Sequence, residues 1–276
     1  MREETLKKIL LTGGALLTIL FAMIPFTYMV ATGLSTGADF LQQGQDYGFT
    51  LSNFATILFA ESSHFVRYMI NSIVISAIAA VISVFCAALG AYALTRFQVP
   101  GGAVLMLIIL SISMFPPVSL VSYLFKFMTR LGWINTYQAL ILPYVAWTLP
   151  LSLWILVSYF KQVPLELDKA GLIDGASRLQ ILIKIILPVA APGVFSTALL
   201  AFIFAFNEFL FALMLTTDFT ARTIPVGIAL FQGIHGQIPW GEIMAAATVT
   251  TIPVVVLTLI FQRRIISGLT RGAVKE

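Results

Sequence analysis

Residues 165–188 read LELDKAGLIDGASRLQILIKIILP, a polar interruption in an otherwise oily chain. Glu166, Asp168, Lys169 and Asp174 are set there among apolar residues. Such a set makes no nucleophile or acid–base pair; its chemistry is recognition, with charges for register and apolar anchors for affinity. Pro164 suits the first turn of a short helix over 165–173. Asp174-Gly175 is a turn dipeptide, and Ser177 can cap a second helix starting at Arg178. Along that helix Leu179, Leu182 and Ile186 form one stripe, with Ile181 and Ile185 beside it. Pro188 and Pro192 close the segment. An amphipathic helix–turn–helix of this kind either docks in a groove on a soluble partner or lies on lipid headgroups.

Asn207 and Glu208, in FAFNEFLFAL, are the other notable polar pair. A charged residue in the middle of a lipid-facing helix costs about 3 kcal/mol or more, so Glu208 is expected to face a cavity or a partner chain. It either lines a polar path or ties two subunits together. Tyr144 and Trp147 are deep enough in their segment to join such a path. Pro116-Pro117 and Pro253 delete backbone hydrogen bonds and kink helices, as at transporter pathways. Candidate path residues are therefore Asn207, Glu208, Tyr144, Trp147, Pro116 and Pro117. His64 and His235 fall in separate loops and make no metal site. The single cysteine, Cys86, has no partner for a disulfide. No GxxxxGK[ST] phosphate loop occurs. No catalytic residue is assigned, and no cofactor is expected on this chain.

These residues must be positioned by membrane helices. The chain of 276 residues is 59% hydrophobic and only 10% charged, against about 25% charged in soluble domains. Six segments are apolar and long enough to span a bilayer: 9–30, 69–94, 103–125, 139–160, 194–215 and 243–261. None alternates with period two, so helices rather than a barrel are expected. The first has basic residues before it, like a signal peptide, but its apolar run is too long and is read as a retained helix. In the second, Ala79, Ser83, Ala87 and Ala91 recur every fourth residue, with Gly90 alongside, as in a tight helix seam. With the N-terminus inside, the inner segments hold Arg2, Lys7, Lys8, Arg96, Lys161, Lys169, Arg178, Lys184, Arg263, Arg264, Arg271 and Lys275. Only Arg67, Lys126, Arg130 and Arg222 remain outside, four of the 16 basic residues. Both termini are expected to be cytoplasmic. The outer segment 31–65 has no Lys or Arg before its end, and a short helix is expected near Asn53. The net charge of +4 thus reads as membrane topology, and no nucleic-acid partner is expected. The whole chain, 1–276, is read as one all-α membrane domain with a polar loop at 161–190.

The loop resembles the EAA loop of the integral-membrane subunits of ABC importers. That pattern is EAA, three residues, Gly, nine residues, Ile, one residue, Leu-Pro. Ala170, Gly175, Ile185, Leu187 and Pro188 fall in register, and Asp174-Gly175-Ala176 is similar to the sugar-importer form. Lys169 stands at the usual Glu and Gly171 at the second Ala; Asp168 is assigned the role of the displaced carboxylate. Asn71-Ser72, Leu142-Pro143-Tyr144 and Asn207-Glu208 also resemble the family. The C-terminus through Gly272, Ala273, Val274 and Lys275 is similar to the tail of the maltose-type second permease, which reaches the interface between two ATPases.

The resemblance implies a carbohydrate importer permease in the bacterial inner membrane. Its partners would be a second homologous permease, an ABC ATPase dimer carrying ATP and Mg, an extracytoplasmic substrate-binding protein, and the lipid bilayer. Glu166, Asp168, Lys169, Ala170, Gly171, Asp174, Gly175, Ala176, Ile185, Leu187 and Pro188 would form the ATPase-docking loop. An ion-coupled secondary transporter of small polar solutes is the alternative, and it requires ionisable residues within the bundle.

Overall fold

The computed structural model describes residues 2–36, 48–97, 99–231 and 238–273, with backbone alone at 2, 3 and 263–273. Almost every described element is a helix. One isolated antiparallel bridge, Ser35 with Phe49, is the exception among the described residues. Two compact units divide the chain: residues 1–66 with 227–252, and residues 67–226 with 253–276.

In the first unit, α1 spans Arg2–Gly33 and runs through Pro25 without a break. Its most apolar window has none of its residues buried within the chain. A helix apolar all round and uncovered by protein belongs in lipid or against another subunit. The expected short helix is α2, Ser52–Phe59. Asn53 Nδ2 donates to Gly33 O at 2.9 Å and Ser35 O at 3.1 Å, satisfying carbonyls at the end of α1.

The second unit begins within α3, Phe65–Arg96. Ala79, Ser83, Ala87 and Ala91 are all fully buried, so the expected small-residue seam is realised. It faces α6, Tyr137–Phe160: Ser83 Oγ donates to Ser152 Oγ at 3.3 Å, and a Cβ at Gly90 would come within 3.0 Å of Leu153. Between them lie α4, Gly102–Ser113, and α5, Val118–Arg130. These two are bent by 86° at the segment holding Pro116-Pro117. The expected third span is therefore two sharply angled helices.

After α6 come α7, Leu165–Ile173, and α8, Arg178–Ile181, then a π-helical turn, Leu182–Ile186. The short α9, Leu187–Val189, leads into α10, Ala191–Phe206, with another 86° bend between the two. α10 packs on α6, where Gly193 is required: an added Cβ would sit 2.2 Å from the Tyr159 ring. The expected fifth span, 194–215, is not one helix either. α10 ends at Phe206 and α11, Leu210–Leu215, restarts after Asn207, Glu208 and Phe209.

α12, Ile224–Ala229, and α13, Trp240–Ala273, follow, and α13 passes Pro253 as one continuous helix. By length and apolarity four described helices are long enough to cross a membrane, rising to six if each bent pair makes one span.

Candidate functional site

The loop 161–190 is built on a buried base. Leu165–Ile173 and Arg178–Ile181 form as the sequence predicts, and both ends of the turn have clear local causes. Gly175 takes φ +80°, in the left-handed region that glycine enters without strain. Ser177 Oγ accepts from Gln180 N while Gln180 Oε1 accepts from Ser177 N, a complete capping box. Gly171 is buried, and a Cβ there would meet Ile181 at 2.9 Å and Ile185 at 3.2 Å. Glycine at this position lets α7 cross the following helix closely. Ile181, Leu182 and Ile186 are buried with the ends of α3 and α6.

The stripe thus divides. Its Ile181–Ile186 part holds the loop to the protein, and Leu179 stays exposed. On the outer surface Ile173 is 86% exposed, with Leu172 and Leu179 also exposed. Glu166, Lys169, Ala170, Asp174 and Pro188 share that exposure, while Ala176, Ile185 and Leu187 are half-buried.

Asp168 corrects the sequence reading. It was expected to present its carboxylate outward, yet it is 4% exposed. Oδ1 accepts from Tyr92 Oη at 2.9 Å. Oδ2 lies 2.9 Å from Arg96 Nε, a charge contact without hydrogen-bond alignment. Asp168 and Lys169 are successive helical residues, so they point about 100° apart; only Lys169 faces solvent.

The path candidates are placed less uniformly. Trp147 borders two cavities. One, of about 750 Å³, is walled by α4, α5, α6 and Phe211, and its lining is almost wholly apolar. The other, of about 200 Å³, is lined in part by Ser113, Thr148, Ser152 and Thr197, whose hydroxyls donate to backbone carbonyls one turn back. Sequence reasoning missed this hydroxyl set, whose signal was Thr and Ser one turn apart on α6. Trp147 also meets Phe211 edge to face, with centroids 6.3 Å apart.

Tyr144 borders neither cavity. It is 1% exposed and belongs to the core between α3, α6 and α11. Pro116 and Pro117 mark the bend after α4, and neither lines these cavities. Asn207 is exposed and donates to Ile203 O at 2.8 Å.

Glu208 is not in mid-helix. It sits in the break and accepts from Phe211 N at 2.8 Å and Ala212 N at 3.1 Å, satisfying two of the free N–H groups that start α11. The Tyr144 hydroxyl is its polar neighbour.

A further polar knot ties the 217–224 segment down, and its logic was not evident from sequence. Asn71 Nδ2 donates to Thr220 O at 3.1 Å and Arg222 O at 2.9 Å, and its Oδ1 accepts from Tyr137 Oη. Ser72 Oγ accepts from Ile224 N at 2.7 Å. Asn135, in a left-handed conformation at φ +63°, accepts from Thr217 N and donates to Asp218 Oδ2. The Thr220 hydroxyl and N–H hold the exposed Asp218 carboxyl below its ordinary value.

Residues 79–271 match the family described as binding-protein-dependent transport system inner membrane component. The chain belongs to that family. It is 54% identical, over 276 residues covering 100% of this chain and 99% of the relative, to the trehalose/maltose transport system permease protein MalG of Thermococcus litoralis. It is 47% identical over 208 residues, 75% of this chain and 76% of the relative, to the trehalose transport system permease protein SugB of Mycobacterium tuberculosis. Its fold is like that of a bacterial ABC transporter involved in import of the acidic polysaccharide alginate, with TM-score 0.76 and 21% identity. That match covers 95% of this chain and 98% of the other.

The chain is therefore an integral membrane permease subunit of a binding-protein-dependent transport system. Of the tail residues, Gly272 and Ala273 end α13, described by backbone alone; Val274 and Lys275 lie outside the described residues, as does His235.

Proposed function

We propose that this permease carries a sugar or related polyol inward by alternating access, powered by ATP hydrolysed on a separate subunit. The single observation that carries this reading is the shape of the 161–190 loop. Ile173, Leu172 and Leu179 are exposed on the same two loop helices and turn as the exposed Glu166, Lys169 and Asp174, above a base of buried apolar residues. Apolar anchors among charged residues, on a rigid base, suit a protein groove.

On this reading the loop docks on an ABC ATPase, and both termini lie on the same inner side. A second, homologous permease completes the pathway, and an extracytoplasmic binding protein delivers the substrate. Pairing of ATPases moves the loop, and the membrane helices follow into an outward-open state. The tail through Lys275 enters the ATPase interface. The names of the relatives, for trehalose and maltose, favour a small glucoside. The small cavity beside Trp147 offers a ring face to a sugar, while the hydroxyls of Ser113, Thr148, Ser152 and Thr197 are spent on backbone carbonyls of their own helices. No observation favours the ion-coupled alternative, since both Glu208 oxygens are occupied by the start of α11.

The test is uptake of radiolabelled trehalose by vesicles containing the permease with its partner subunits and binding protein. Uptake with ATP enclosed and all ion gradients collapsed is expected. Uptake driven by a gradient with ATP absent would overturn the reading.

A further inference from the structure

Both helices of the loop grip one turn of α3. From α7, Asp168 meets Arg96 and Tyr92. Arg96 Nη2 also donates to Val163 O at 2.9 Å, just before α7 begins. From α8, the Arg178 guanidinium lies 5.6 Å over the Phe97 ring and beside the Tyr92 hydroxyl. Phe97 in turn meets Tyr92 edge to face at 6.0 Å. The Arg96 and Asp168 side chains are 3% and 6% exposed.

Two charges this far from water need a reason. Burying an ion pair gives no stability advantage over well-packed apolar residues of similar volume, but its orientation is strict and losing one partner is severe. The site already has the apolar alternative at hand, since Ile181, Leu182, Leu156 and Phe160 pack beside it. Those apolar contacts are non-directional; a charge pair fixes register. Downstream, α3 is locked to α6 through the small-residue seam, and α6 carries Trp147, Thr148 and Ser152 of the cavities.

We propose that the Arg96–Asp168 pair is the rigid link by which displacement of the 161–190 loop reaches α3 and the transport cavities. Asp168 is a positioning residue: it touches neither the docking partner nor the substrate. The inference rests on the docking role of the loop proposed above. It makes a distinction that a purely structural role does not, between holding the ATPase and responding to it. Asp168→Asn keeps the shape of the side chain and its bond to Tyr92 and removes the charge attraction; Arg96 keeps its bond to Val163 O, and the loss of its counter-charge falls on stability, read separately by unfolding of the purified complex.

The test uses the complete transporter in lipid vesicles, with trehalose-loaded binding protein as the stimulus. For Asp168→Asn the ATPase is expected to stay bound through purification and basal ATP hydrolysis to be unchanged. Stimulation by the loaded binding protein is expected to fall about ten-fold, the size of a typical coupling between sites. The swapped pair, Arg96→Asp with Asp168→Arg, is expected to recover part of it. Tyr92→Phe, which leaves the charges in place, is expected to keep more of the stimulation than Asp168→Asn and covers the case in which the swap does not fold.

Stimulation of Asp168→Asn within two-fold of native would overturn the link, and so would loss of the ATPase from that variant, which would make Asp168 a docking residue. Failure of the native transporter to bind an ATPase at all would instead refute the docking role of the loop.

Discussion

Asp168 and Glu208 are two acids of one chain with opposite arrangements. Asp168, in the polar loop, is the more buried and faces a full positive charge at 2.9 Å. Glu208, in the apolar part, is half-buried and held by two backbone N–H groups. The difference shows how a carboxylate can be kept in a membrane protein. Where a helix is interrupted, its free N–H groups supply partial positive charge at no further cost, because they need acceptors in any case. Asp168 lies in the first turn of α7, but its oxygens turn to Tyr92 and Arg96 of α3, so its compensating charge comes from another side chain. The first arrangement shapes a single span; the second joins two elements distant in sequence. That is why the link to the loop falls on Asp168 and the broken span on Glu208.

The comparison is broken most readily at Arg96. Arg96→Ala leaves Asp168 buried without its counter-charge and is expected to cost about 3–5 kcal/mol in chemical unfolding of the purified permease. A loss below 1 kcal/mol would mean that the pair is not desolvated as its burial indicates. Glu208→Ala frees two N–H groups at the start of α11 and is expected to cost about 1–2 kcal/mol. An effect equal to that of Arg96→Ala would erase the distinction between the two acids. Ser177→Ala opens the capping box of α8 and is expected to cost about 1 kcal/mol, measured the same way.

The smallest effect is at Asp218, which neither arrangement describes because it is exposed. Its carboxyl is held low in the folded chain, so its contribution is present above the unfolded value of about 3.9 and is lost as pH falls through the lower folded value. The protection of the Thr220 amide, its exchange relative to the intrinsic rate at the same pH, is expected to fall only in that acid range; a fall in protection near neutral pH would rule the Asp218–Thr220 contact out.

Much of this was legible in the amino-acid sequence because it is local. Gly175, Ser177 and Pro164 fix the loop helices through turn and cap chemistry, and hydropathy locates the apolar segments. The small-residue seam from Ala79 to Ala91 also follows from a period. The orientation of Asp168 was not legible. It depends on Tyr92, 76 residues earlier, and on Arg96, and a shift of one position on a helix turns a side chain from inward to outward.

The break at Glu208 was hidden for another reason. FAFNEFLFAL contains no proline or glycine, so its apolar run reads as one helix. In the sequence Asn71-Ser72 shows only a family resemblance; its work of holding the 217–224 segment depends on acceptors and donors about 150 residues away.

The central claim is that the loop's exposed tip binds the ATPase while its buried acid does not. It is tested most directly by purifying the transporter complex with Ile173→Asp and, in parallel, with Asp168→Asn, and measuring how much ATPase stays bound. The account predicts loss of the ATPase from Ile173→Asp and native amounts with Asp168→Asn. Native amounts with Ile173→Asp, together with loss from Asp168→Asn, would contradict it.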